Sequence, residues 1–149
     1  MTSEDRVAGF RSGLAEVGAE LPEENIISAQ FTRDGGYVGM TELLDRDLDV
    51  ELVFAVNDVM AVGAIAALRD QGHRVPQDMA VAGFDDIPTL RDVRPALTTV
   101  RLPLVDLGRR ALVMALDGPA ADGDAEGDQV VVSVAGEVVV RESTPQRPV

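Results

Sequence analysis

Cysteine is absent from this sequence, which excludes disulfides, thiol catalysis and cysteine-rich metal sites and suits a reducing compartment. Lysine is absent too. All 13 basic residues are arginine, so Schiff-base chemistry and lysine-dependent phosphate cradles are removed. The one histidine, His73, stands in the polar turn QGHRVP, where a solvated role is expected rather than a catalytic one. Positive charge is scarce: 26 acidic residues give a net charge of -13, and such a surface repels phosphate backbones. No apolar run approaches membrane-spanning length, and the opening MTSEDRVAGF lacks the apolar core of a signal peptide. The expectation is a soluble, cytoplasmic chain. Neither GxGxxG nor GxSxG occurs, which leaves dinucleotide binding and a hydrolase elbow without support.

What is present is an ordinary globular balance, with 46% hydrophobic and 26% charged residues in 149, the length of one domain. SEDRVAGFRSGLAEVG reads as a helix. Ser3 is its expected N-cap, Glu4 and Asp5 sit at the positive end, and Val7, Phe10, Leu14 and Val17 recur at helical spacing before Gly18. NIISAQF is expected to be a short strand. DGGYVGMTELLDR repeats the helical pattern through Tyr37, Met40 and Leu44, although its two leading glycines cost helix propensity. VELVFAVND is a near-continuous apolar run, as in a strand covered on both faces, with Asn57 or Asp58 capping the helix that follows and ends near Gly72. MAVAGFDD is a further buried strand. The alternation of strand and helix predicts an α/β fold with a parallel sheet flanked by helices. PALTTVRLP reads as extended, and Pro103 suits the first turn of a helix with Leu104, Leu107, Ala111 and Met114 on its apolar face. DGPAADGDAEGD is expected as a surface loop, and QVVVSV and EVVVREST as β-rich pieces.

In an open α/β sheet, ligands bind outside the carboxyl ends of the strands. Three predicted strands end there with functional groups: Gln30 and Phe31, Asn57 and Asp58, Asp85 and Asp86. Arg6, near the start of the first helix, is expected close by. Together these offer a guanidinium donor, an amide, a carboxylate acceptor and an aromatic face, a set suited to a neutral, hydroxyl-rich small molecule. Each residue also has a plain structural reading. Asn57 or Asp58 can simply cap a helix, Arg6 can be solvated, Phe31 can be core, and Asp85 with Asp86 can start a turn. An enzyme using that acidic pair to hold a metal is disfavoured, because adjacent side chains in an extended segment diverge.

DRVAGFRSGLAEVG, VFAVNDVMAVGAIAAL, VPQDMAVAGFDDIP, PALTTVRLP and VVVREST occur in the order seen in LacI-type bacterial transcriptional repressors, and the resemblance covers nearly the whole chain. It implies a periplasmic-binding-protein-like effector domain in which a small molecule, a sugar or related polyol ahead of a nucleobase, enters a cleft between two subdomains. By this resemblance the effector contacts are Arg6, Phe31 at the family's aromatic stacking position, Asn57, and Asp85, the first acid of GFDD. Val62, Gly63 and Ala66, with Val93, Arg94 and Pro95, resemble part of a homodimer surface, although small residues on a helix also suit core packing. The resemblance implies no catalytic residue, metal or cofactor.

The family places a DNA-reading helix-turn-helix, a hinge and an N-terminal subdomain ahead of the segment that opens this chain. The expectation is therefore a C-terminal portion of a regulator, with residues 1–96 as the C-terminal subdomain of the effector domain and 97–149 as its crossover strand, helix and closing strands. Operator DNA would be reached only through the helix-turn-helix, which this chain lacks. Exposed apolar surface is expected to make it dimerise, swap elements or recruit a partner. The alternative reading is a periplasmic-type sugar-binding protein of a transport system, which shares the fold.

Overall fold

The computed structural model describes residues 2–117 and 134–145. Helix α1 (Ser3–Glu16) is capped one residue ahead of the expected Ser3. Thr2 Oγ1 accepts the Asp5 N–H at 3.2 Å while the Asp5 carboxylate accepts the Thr2 N–H at 2.7 Å, a reciprocal box that satisfies two otherwise orphaned donors. At the other end, Gly18 takes φ +75°, which lets its own N–H and that of Ala19 close back onto the Ala15 and Leu14 carbonyls.

Helices α2 (Arg33–Asp45) and α3 (Asp58–Asp70) form the packed centre of the molecule. Thr32 caps the first through the Gly35 N–H at 3.0 Å, and Asn57 caps the second through the Met60 N–H at 2.7 Å. The glycines that weaken α2 as an isolated helix are what allow this pairing. A Cβ on Gly36 would lie 2.1 Å from the Met60 carbonyl oxygen, and one on Gly63 would lie 1.9 Å from that of Arg33. The two backbones therefore touch where any side chain would hold them apart. Met40, Leu43, Ile65, Leu68, Val81 and Leu97 fill the core beside this contact.

Strands β1 (Leu52–Phe54) and β2 (Ala80–Ala82) pair in parallel, with Val53 opposite Val81. The line of β2 continues onto β3 (Thr99–Arg101): Gly83 donates to the Thr98 carbonyl and Asp85 to that of Val100, with parallel bridges at Ala82–Thr98 and Asp85–Arg101. β3 then pairs antiparallel with β4 (Glu137–Val139), so the parallel sheet ends in an antiparallel strand. Buried Ser143 ties β2 to this half, since its hydroxyl donates to the Val81 carbonyl at 2.6 Å and accepts the Thr98 N–H at 2.8 Å.

Two expectations need correction. NIISAQF forms no strand: Glu23–Asn25 is a short 3-10 turn, and residues 26–30 run on without joining either ladder, because no strand among the described residues lies beside them to complete the pairing. β1 is only partly covered: Phe10 of α1 stacks on Phe54 and the core takes Val53 on the other face, but Leu52 remains 38% exposed. Helix α4 (Leu104–Asp117) forms as expected, and Leu104, Val105, Leu112 and Leu116 lie exposed because no described element packs over them, which is the exposed apolar surface anticipated for this chain. The acidic loop DGPAADGDAEGD and most of QVVVSV lie outside the described residues.

Candidate functional site

Because Thr32 and Asn57 cap α2 and α3, and α1 begins beside them, three helix N-termini open on one edge of the sheet. Arg6, in the second turn of α1, reaches across that edge. Its Nη1 donates to the Val56 carbonyl at 2.6 Å, and its Nη2 lies 3.1 Å from Asp85 Oδ1. The pair is largely withdrawn from water, with side chains 12% and 24% exposed. The guanidinium lies 4.2 Å from the centre of the Phe84 ring and 6.0 Å from that of Phe31, so it sits against one aromatic and beneath the approach to another. Its Nε is buried and has no hydrogen-bond partner among the described residues.

Three of the four anticipated residues meet here directly: Arg6, Asp85 and Phe31. Phe31 is 57% exposed, so it is not core. Asn57 follows the carbonyl that Arg6 binds. It is buried and serves as the cap of α3, which engages Oδ1 and leaves the amide nitrogen without an intramolecular partner among the described residues. The capping reading of Asn57 therefore holds through Oδ1.

Behind this edge lies an inner pair of carboxylates. Asp58 is buried; its two oxygens accept the Thr99 hydroxyl and, at 2.8 Å, the Ile87 N–H. Burial pushes its pKa above the ordinary carboxylate range, and the two hydrogen bonds only partly offset this. Asp86, 3% exposed, accepts from Arg141 at 2.6 Å and Arg101 at 2.7 Å. Burial pushes it upward, but the two guanidinium groups outweigh that and hold it below the ordinary range. Asp85 and Asp86 have φ of +114° and +51°, conformations costly for any residue with a side chain and held here by partners on both sides. That turn is what aims Asp85 at Arg6 and Asp86 at the opposite pair of arginines. The two carboxylates therefore do not converge on a common point, and among the described residues no cluster of three His, Cys, Asp or Glu side chains could hold a metal.

Sequence reasoning missed Phe84, which reads as one more apolar residue of a buried strand, and the Val56 carbonyl, which no side-chain pattern reveals. It also missed the inner role of Asp58 and Asp86. No sequence signal marked that role, because the left-handed backbone that sends Asp85 and Asp86 opposite ways forms only in the folded chain. On the surface assigned to a second subunit, Gly63 is covered by α2 and Ala66 is buried within the protomer. Val62, Val93 and Pro95 are half-buried and Arg94 is exposed.

The sequence matches the family described as periplasmic binding protein-like domain over residues 1–144. The chain belongs to this family, in the branch found in LacI-type regulators. It is 42% identical over 119 residues to the HTH-type transcriptional regulator GalS of Salmonella typhimurium, covering 80% of this chain and 35% of that protein. A putative LacI-family regulator from Sanguibacter keddieii superposes with a TM-score of 0.80 at 33% identity, over 93% of this chain and 51% of that one. A CelR–cellobiose complex gives a TM-score of 0.78 at 37% identity, over 93% and 41% respectively. The LacI-type chain thus spans about a third of the length of the curated relatives it matches. Among its described residues, no helix is long and apolar enough to cross a membrane.

Proposed function

We propose that this chain is the effector-sensing region of a LacI-type transcriptional regulator and that it binds a small, neutral, hydroxyl-rich molecule, a sugar or related polyol ahead of a nucleobase. The observation that carries this reading is the Arg6–Asp85 pair at the strand-end edge, framed by Phe84 and Phe31. The two charges already balance each other, so a charged ligand would leave one of them uncompensated in a partly dry site. A hydroxyl group instead accepts from Arg6 and donates to the free oxygen of Asp85, the Asn57 amide supplies another donor, and the Phe31 face stacks on the C–H side of a sugar ring. Cellobiose in the related CelR complex is a ligand of this kind.

Residues 1–96 and 97–149 are then parts of one effector domain that forms one wall of the cleft. The role is sensing rather than catalysis, in the cytoplasm, where operator DNA lies. A surface of net charge -13 assigns operator contact to a separate helix-turn-helix, and Val62, Val93, Arg94 and Pro95, with Gly63 and Ala66 behind them, mark the homodimer surface. Effector binding shifts the DNA-binding equilibrium only through different affinities for the two states. Relatives described as HTH-type regulators favour this over a transport protein of the same fold.

The test is operator binding by the regulator that carries this chain, followed by fluorescence anisotropy against a panel of cellobiose, lactose and ribose. Asp85→Ala is expected to abolish the response to whichever sugar acts on the parent while operator affinity persists. A variant that responds like the parent removes Asp85 from the site.

A further inference from the structure

Arg6 enters the strand-end edge from a helix that has no buried residue, so α1 itself does little to fix the far end of this long side chain. The guanidinium is held at two points on its rim, Nη1 by the Val56 carbonyl at 2.6 Å and Nη2 by Asp85 Oδ1 at 3.1 Å. Two rim contacts define a line, and the planar group can still tilt about that line. A contact on its face removes this freedom. Phe84 supplies one, with the guanidinium carbon 4.2 Å from the ring centre, whereas Phe31 at 6.0 Å stands at the limit of such a contact. The Phe84 ring is carried on a firm support. It is 8% exposed, its carbonyl accepts the Asp58 N–H at 2.9 Å, and Gly83 and Asp85 on either side donate to the Thr98 and Val100 carbonyls, each at 2.9 Å.

We propose that Phe84 is a positioning residue of the effector site: its ring face sets the tilt of the Arg6 guanidinium and so aims the N–H groups that Val56 and Asp85 leave free at the hydroxyl oxygens of the effector. This rests on the reading of the strand-end edge as the effector site. An aromatic ring suits the task where other side chains do not. An amide or a carboxylate under the guanidinium would engage one of its N–H groups, and a further carboxylate would upset the balance of charges that suits a neutral ligand. An aliphatic chain fills the space without attracting the cation. The ring face attracts the cation and engages no N–H group. Arg6 Nε is buried with no hydrogen-bond partner among the described residues, so the cation is short of solvation and that attraction is the stronger for it.

The experiment uses the regulator that carries this chain, as the parent and with Phe84→Leu, Phe84→Met, Phe84→Tyr or Arg6→Gln, at a temperature where far-UV circular dichroism shows each protein folded. NMR relaxation reads the order of the Arg6 Nε–H bond, and calorimetry measures Kd for cellobiose, lactose and ribose. The expected order parameter is about 0.85 in the parent and in Phe84→Tyr, which keeps the ring, and below about 0.6 in the Leu and Met variants. Those two variants are expected to bind the sugar that the parent binds about tenfold more weakly, while Phe84→Tyr binds it like the parent. Two apolar replacements are used so that the loss of one to misfolding leaves the other. An Arg6 bond that stays rigid in the Leu and Met variants overturns the proposal. So does parent-like sugar affinity in those variants when Arg6→Gln has lost it, an outcome that leaves the effector reading standing. Parent-like affinity in Arg6→Gln overturns the effector reading, and the proposal with it. Should the parent bind none of the three sugars, the relaxation result decides alone.

Discussion

The contact between α2 and α3 makes Gly63 the most revealing position for substitution. A Cβ there would lie 1.9 Å from the Arg33 carbonyl oxygen and 2.7 Å from the Tyr37 nitrogen, both backbone atoms that cannot swing aside. Carbon and oxygen approach comfortably only to about 3.3 Å, so Gly63→Ala forces the helices apart by more than about 1 Å or bends one of them. Overpacking costs about 1–3 kcal/mol, and rigid neighbours on both sides place this case near the upper end. Alanine returns about 1 kcal/mol of helix propensity, which leaves a net loss of about 2 kcal/mol. For a chain of this size that lowers Tm by about 4–8 °C. The paired control is Gly13→Ala in α1, where nothing lies within 4 Å and the same propensity gain is expected to raise stability by about 0.5–1 kcal/mol. Thermal melts followed by far-UV circular dichroism, with urea midpoints alongside, measure both. A Gly63→Ala protein that melts at or above the parent refutes the close-contact argument. If that variant keeps its melt but changes its sedimentation, Gly63 serves the subunit surface suggested by sequence and not the helix pair.

Ser143→Ala leaves the Val81 carbonyl and the Thr98 N–H unpaired in a fully buried position and is expected to cost about 2–3 kcal/mol, seen as a lower urea midpoint with an unchanged slope; no shift would mean that another donor replaces the hydroxyl. The inner carboxylates give opposite signs of pH dependence. Asp86, held below the ordinary range by Arg141 and Arg101, contributes stability that is present above its unfolded pKa and is lost as pH falls through its lowered folded value. Asp58, pushed upward by burial, contributes in its protonated form, and that contribution is lost as pH rises through its folded value. Arg141→Gln removes one support of Asp86 and is therefore expected to move the acid-unfolding midpoint to higher pH in a circular dichroism titration. An unmoved midpoint excludes Asp86 as the group that titrates.

Much of this molecule is written locally. The helices follow from apolar spacing and from caps at Thr2, Thr32 and Asn57, and β1 and β2 follow from apolar runs that end in polar residues. The edge that gathers Arg6, Phe31 and Asp85 is legible too, because a parallel α/β arrangement brings strand ends together wherever they stand in the sequence. Tertiary structure decided the rest, and the reason is the same in each case: a residue's partner is far away along the chain. The glycines of α2 look like defects until α3 lies against them. Asp85 and Asp86 look alike until a left-handed turn sends one to α1 and the other to Arg101 and Arg141, 15 and 55 residues away. NIISAQF has the composition of a strand, but a strand is made by its neighbour's hydrogen bonds, and only the folded chain shows that no described strand pairs with residues 26–30.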